Sequence, residues 1–327
     1  MRTFILAAAF FALISASAFG GGAIQNEPFN VQEINLENIE NIVIRYSFEN
    51  ITLLKSGTDA LVIKEYFNRD ISAAYAVAAA SANEILIRGG MRSGFSGALN
   101  FKARIEIYIP DSNKNFSLRT ASGAVEGGGS YTANSITIES SSGNIYLNSV
   151  SAGYINLAAS SGAVRGGSAA GNLNLRTASG NIFFGSVSGD VDARSSSGRI
   201  EINRLTGSLS AETSSGGMRF TADGGTVNLS SSSGRIQCSA GAGTKDVSIT
   251  TASGDVFLEI PQTLAFNFLS RTSSGRIRAP FSDRLFSPFD DRNSFQGAIG
   301  GNFSENKEPV NIVIKTNSGS INAAWAD

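Results

Sequence analysis

Residues 175–202 read LRTASGNIFFGSVSGDVDARSSSGRIEI and state one pattern twice. Thr177-Ala178-Ser179-Gly180 leads into Asn181-Ile182; eighteen positions on, Ser195-Ser196-Ser197-Gly198 leads into Arg199-Ile200. Outward from this stretch, the same Ser-Gly corner has its glycine at 123, 143, 162, 180, 198, 216, 234, 254 and 275, and then at 319. Four consecutive intervals are 18 residues long, and those flanking them are 19 to 21. A fixed period near 20 residues is the signature of a solenoid.

Within each period an apolar residue follows the corner glycine by two positions: Val125, Ile145, Val164, Ile182, Ile200, Met218, Ile236, Val256 and Ile277. Four positions after it come Leu147, Phe184, Ile202, Phe220, Cys238 and Leu258. Five before it come Leu118, Ile138, Leu157, Leu175, Leu229 and Ile249, with Ala193 and Ala211 as smaller equivalents. The alternation is strictly two, so these are strands with one buried face. A second glycine recurs at 153, 171, 189, 207 and 225, at a corner that tolerates positive φ or close backbone approach. The pattern predicts an all-β, single-stranded parallel β-helix of 18–20 residues per turn. It is expected to be right-handed from the general preference of crossovers. Laps stacked ~4.8 Å apart would give nine turns a rod core about 40 Å long.

Thr120, Thr177, Thr213, Thr251 and Thr272 stand three positions before the corner glycine, with Ser140, Ser195 and Ser231 in other laps. Stacked hydroxyls there serve each other or the turn backbone, since a catalytic row would need a base the composition lacks. The chain has 327 residues, no His and one Cys, so intrachain disulfides are excluded and zinc or heme sites lose their favoured ligands. Cys238, at an inward position, reads as a small buried hydrophobe. Net charge is −1, which offers no footprint for nucleic acid. No cofactor and no metal site is expected.

The segments are read as follows. Arg2, the apolar run 4–14 and Ala16-Ser17-Ala18 form a cleavable signal peptide over 1–18, too short to span a bilayer. No second apolar stretch could span one, so the mature chain is expected outside the cytoplasm, secreted, periplasmic or at the cell surface. Residues 19–117 hold irregular β turns that cap the solenoid, including Ile42, Ile44 and Tyr46, Ile51 and Leu53, Ile85 and Ile87, and the alternating run 101–109 ended by Pro110. The alanine-rich stretch 73–82 is read as a short helix. Regular repeats fill 118–279, a long loop 280–309 carries Phe281, Phe286, Phe289 and Phe295 over the open core end, and 310–327 make the final turn.

The isoleucine-rich strand closing in Ile109-Pro110, the repeated T-x-S-G-x-I units, and Gly300-Gly301 before Ile314-Lys315-Thr316-Asn317-Ser318-Gly319-Ser320-Ile321 carry a resemblance. Over nearly all of 30–325 the chain resembles the bacterial DUF4097 adhesin-like proteins, called toastrack, which are similar to the head domains named GIN. The resemblance implies an extracytoplasmic β-helix with an adhesin-like role and brings no catalytic residues.

The outer faces carry the candidate chemistry. Asp190 and Asp192 lie two apart on one strand, about 7 Å from each other, a spacing that would suit an inverting carboxylate pair or Ca²⁺ ligands. Neighbouring turns place Asn172 and Asn174, then Ser208 and Ser210, at the same positions, so a solvated face is the plainer reading. Arg176, Arg194 and Glu212 share one position on three turns. Tyr146, Phe183 and Phe257 point outward, flanked by Arg165, Glu201 and Arg219, and could stack on sugar rings or anchor a protein. Ser304-Glu305-Asn306-Lys307 matches S-x-x-K outside any helix start and is accidental. The expected function is therefore a non-catalytic, adhesin-like scaffold or binding surface of the bacterial envelope, with a protein or glycan partner and no nucleic acid. The alternatives are a carbohydrate-active β-helix using Asp190 and Asp192, or an envelope-stress sensory module.

Overall fold

The structure is a computed structural model that describes residues 23–89, 101–280, 294–299 and 309–326. The signal peptide expected over 1–18 and the phenylalanines 281, 286 and 289 lie outside them. The chain divides into two compact units, Met1–Gly162 and Ala163–Asp327, and the described residues of each form a β-solenoid of mainly parallel strands.

The N-terminal unit contains β1 (Asn30–Ile34), β2 (Asn41–Arg45), β3 (Asn50–Lys55), β4 (Leu61–Phe67), β5 (Val77–Ala80), β6 (Glu84–Arg88), β7 (Ala103–Ile109), β8 (Asn115–Thr120), β9 (Val125–Ser140) and β10 (Ile145–Ala159). On one face β5, β6, β2, β8, β9 and β10 follow one another; on the other, β1, β4, β7, β3, β9 and β10 do. Pairs involving β1, β4 and β5 are antiparallel and the rest are parallel. The first lap in chain order, β2–β3, is thus intercalated between β6–β7 and β8–β9. The alanine-rich stretch is not a helix beyond the single 3₁₀ turn Ser72–Ala74; it forms β5, because pairing with β6 outweighs the helix preference of alanine.

The C-terminal unit contains β11 (Val164–Thr177), β12 (Ile182–Ser188), β13 (Val191–Ser195), β14 (Ile200–Thr206), β15 (Leu209–Thr213), β16 (Met218–Ala222), β17 (Gly225–Ser231), β18 (Ile236–Ala240), β19 (Thr244–Thr251), β20 (Val256–Pro261), β21 (Phe266–Thr272), β22 (Ile277–Arg278), β23 (Ser294–Ile299), β24 (Val310–Thr316) and β25 (Ile321–Ala326). Equivalent residues lie over each other in parallel register: Val164, Ile182, Ile200, Met218, Ile236 and Val256 form one column, all buried. Each buried aliphatic side chain contributes ~1.5–3 kcal/mol. Ordering costs ~1–2 kcal/mol per residue, so a lap holds only within the stack.

The lap expected to come last is not outermost. β24 pairs in parallel with both β19 and β21, and β25 with both β20 and β22. The column therefore runs from Val256 to Ile321 to Ile277, and the corner glycines from 254 to 319 to 275. Part of the expected long loop is also a strand: β23 pairs antiparallel with the outer side of β21. The end of this core is filled by Phe266, Phe268 and Trp325, with Phe266 edge-on to both others.

Two features fix the corner. Except at Gly162, which has Ala159 in that place, the hydroxyl three positions before the corner glycine accepts that glycine's N–H, at 2.8 Å for Ser195, 3.1 Å for Thr213 and 2.8 Å for Ser231. The glycines themselves stack so closely that a Cβ on Gly198, Gly216, Gly234 or Gly254 would overlap the carbonyl oxygen of the glycine one lap below. At the second corner Gly171, Gly189 and Gly225 adopt positive φ of 120°, 135° and 58°, a region other residues enter at a steric cost.

Candidate functional site

Side chains that alternate away from the core form rows, because parallel register repeats each outward position one lap on. In the C-terminal unit the strands before the corner carry one such face and the strands after it carry another. Asp190 and Asp192 lie on the first. Each makes a contact of its own. Asp190 Oδ1 accepts the backbone N–H of Ser208 at 2.8 Å and so ties its turn to the next. Asp192 lies 3.2 Å from Arg194, which also reaches Glu212 at 3.9 Å. All three side chains are a third or more exposed, so these ion pairs contribute ~0–1 kcal/mol each. Among the described residues no three His, Cys, Asp or Glu side chains are grouped as a metal site would need.

Phe183 and Phe257 lie half-buried on the second face. Their row reads Arg165, Phe183, Glu201, Arg219, Gln237, Phe257, Asn322 and Arg278 in ladder order. Arg219 donates from Nε and Nη2 to Gln237 Oε1 at 3.1 and 2.9 Å, and Arg235 stands over the Phe257 ring at 5.4 Å. The row is continuous even though its aromatics are not adjacent. Tyr146 belongs to the N-terminal unit, on β10, where it is 41 % exposed beside Glu126 of β9. Tyr154 of the same strand is equally open and lacked any distinguishing pattern in sequence.

Cys238 is buried, and its thiol is pushed up to about 12, by burial first and then by the charge of Glu259. The Ser and Thr row is engaged at the corners, as described above.

One polar cluster went unread in the sequence. Glu65 is fully buried on β4 and accepts from Tyr46 Oη at 3.0 Å, Asn30 Nδ2 at 2.6 Å and the Ala76 N–H at 2.8 Å. Burial raises its pKa against the pull of these donors, and the nearby Glu49 raises it further. Glu49 is itself buried, and its Oε2 accepts the N–H groups of Ser47 and Phe48 at 2.9 Å each. The signal was an acid at an inward position of LVIKEYF, aligned with Leu61 and Ile63. The arrangement joins the cap strands to lap β2–β3.

No helix among the described residues is long and apolar enough to cross a membrane. The model of the Toastrack DUF4097 family matches residues 33–226 and 220–324. Solved structures similar to the chain include a "putative cell adhesion protein" from Clostridium sporogenes, at 11 % identity, 91 % of this chain, 98 % of the other and TM-score 0.21. A "putative adhesin" from Bacteroides fragilis is similar at 11 % identity, with 90 % and 95 % covered and TM-score 0.37. A "putative lipid binding protein" from Parabacteroides distasonis is similar at 17 % identity, with 92 % and 98 % covered and TM-score 0.36. No curated protein matches the chain.

Proposed function

Since the chain belongs to the Toastrack DUF4097 family, we propose that it is a non-catalytic, adhesin-like scaffold of the bacterial envelope that binds a partner through its outward strand faces. One observation carries the reading: each outward position recurs in register from lap to lap, so exposed side chains form ordered rows on a backbone fixed from both sides. Such a surface is organised before its partner arrives, which lowers the entropy cost of binding. An extracytoplasmic location is supported by Arg2, the apolar run 4–14 and Ala16-Ser17-Ala18. A non-catalytic role is supported by Asp190 and Asp192, the best-spaced acids of the outer face, each being engaged in its own separate contact.

The test is to pass envelope extracts over the purified protein and, in parallel, to incubate it with a panel of polysaccharides. Retention of a specific partner without depolymerisation is the expected result. Cleavage of any glycan that is abolished by Asp192→Asn would overturn the reading in favour of a carbohydrate-active enzyme.

A further inference from the structure

Five consecutive laps of the C-terminal unit each place one distinctive side chain outward on the face after the corner: Phe183, Arg199, Arg219, Arg235 and Phe257. The ladder fixes this order, since Phe183 pairs with Glu201, Glu201 with Arg219, Arg219 with Gln237 and Gln237 with Phe257. Arg199 and Arg235 are exposed immediately before β14 and β18, next to the strands that carry Glu201 and Gln237, and Arg235 reaches the Phe257 ring. At ~4.8 Å per lap the two rings lie roughly 19 Å apart, with three guanidinium groups between them.

All three arginines are exposed, and among the described residues none of them forms an ion pair. On the opposite face Arg194 is neutralised by Asp192 and Glu212. Gln237 holds Arg219 in place through two of its N–H groups and leaves others free for a ligand. Two carboxylates stand at these positions, and Glu259 is exposed two positions beyond Phe257 on the same strand face. Asp255 accepts the Ser320 N–H at 2.9 Å, and Glu201 stands between Phe183 and Arg219. The band is cationic on a chain whose net charge is −1.

We infer that this band binds an acidic polysaccharide laid along the stacking direction. The inference rests on the scaffold reading above and names its partner. A sugar residue advances an extended glycan by about one lap, so successive rings meet successive laps. Phe183 and Phe257 stack on sugar faces at the two ends. Arg199, Arg219 and Arg235 pair with carboxylates or sulfates between them, as planar guanidinium forks do well. Gln237 and Glu201 supply bonds to sugar hydroxyls. A polynucleotide would want an unbroken basic groove along its backbone, which Glu201 interrupts.

The test measures binding of oligogalacturonate and of heparin oligosaccharides to the purified protein, with dextran oligosaccharides and oligo-dT as comparators. Binding of either acidic oligosaccharide that weakens with added salt is expected, and which of the two binds identifies the anion. The triple variant Arg199→Ala, Arg219→Ala, Arg235→Ala should bind at least about tenfold more weakly through loss of charge-assisted bonds. Phe183→Ala with Phe257→Ala should weaken binding while leaving its salt dependence unchanged. Removing the same charge elsewhere, by Arg176→Ala, Arg271→Ala and Lys315→Ala, should change nothing; unaltered thermal melts would confirm that each variant is folded. The inference is overturned if acidic oligosaccharides do not bind, if the second triple variant loses as much as the first, or if oligo-dT or dextran binds equally well. A protein partner captured through another face, with no glycan bound, would sink the band and spare the scaffold. Cleavage of oligogalacturonate would sink the scaffold itself.

Discussion

Gly216 and Gly217 are adjacent in sequence, yet substituting each by alanine should have opposite consequences. A Cβ on Gly216 would overlap the Gly198 carbonyl oxygen and come to 2.9 Å from Thr213 Oγ1. Both obstacles are held by the lap below or by the corner itself, so the backbone must spread, at a typical overpacking cost of ~1–3 kcal/mol. The shift also stretches the 3.1 Å bond from the Gly216 N–H to Thr213, a further ~1 kcal/mol. Gly216→Ala is therefore expected to destabilise by about 3 kcal/mol. At Gly217 the nearest atom to an added Cβ is the Arg235 carbonyl oxygen at 3.5 Å, ordinary contact, and φ is not positive. Gly217→Ala should then be neutral or stabilise by up to ~1 kcal/mol through the unfolded chain. Urea unfolding followed by far-ultraviolet circular dichroism reads both, provided the slopes agree. Equal midpoints for the two variants would show that the laps can part freely and that the glycine stack is not a constraint.

Three further outcomes are expected. Thr213→Val should cost ~1–3 kcal/mol in the same urea assay by leaving the buried Gly216 N–H without its acceptor, whereas Thr213→Ser should recover most of that stability. Burial raises the Glu65 carboxyl above its ordinary 4.5, so the folded state holds this proton more tightly than the unfolded chain. Its contribution is complete below pH 4.5 and is lost as pH rises through the raised folded value; Glu65→Gln should flatten stability against pH across that window, and an unchanged slope would refute the assignment. With its thiol pushed up to about 12 and buried, Cys238 should resist maleimide at neutral pH in the folded protein and react fully in denaturant. Rapid native labelling would contradict the packing of its lap.

The repeat was legible because a two-residue alternation and a corner glycine are local requirements that every lap must meet. Columns such as Ile182, Ile200 and Met218 follow from them directly. The order of laps is a different kind of information. Thr316-Asn317-Ser318-Gly319 has the same corner chemistry as Thr272-Ser273-Ser274-Gly275, so nothing local says which of them lies nearer Gly254. Intercalation is decided by long-range pairing, and in the N-terminal unit β2–β3 shows the same effect. Phe183 and Phe257 were visible as outward aromatics, but their link through Arg199, Arg219 and Arg235 needed the ladder and the side-chain contacts. The engagement of Asp190 by the Ser208 N–H was equally beyond a reading of spacing, which sees that two acids are near but not what each already holds. Glu65 was missed because an acid amid apolar alternation reads as a break in the pattern, while three donors make it a joint.

The position of lap 310–326 has a bearing on how the protein is made. In the C-terminal unit a chain emerging in order can lay one course on another only as far as the lap of Gly254, because the next to appear, 266–278, must wait for a course synthesised after it. A stop codon anywhere between them would remove an inner brick rather than a coping stone, leaving two walls with a missing tier and the wrong neighbours facing each other. The quality of the finished wall is thereby tied to a stretch translated after both of the courses it joins.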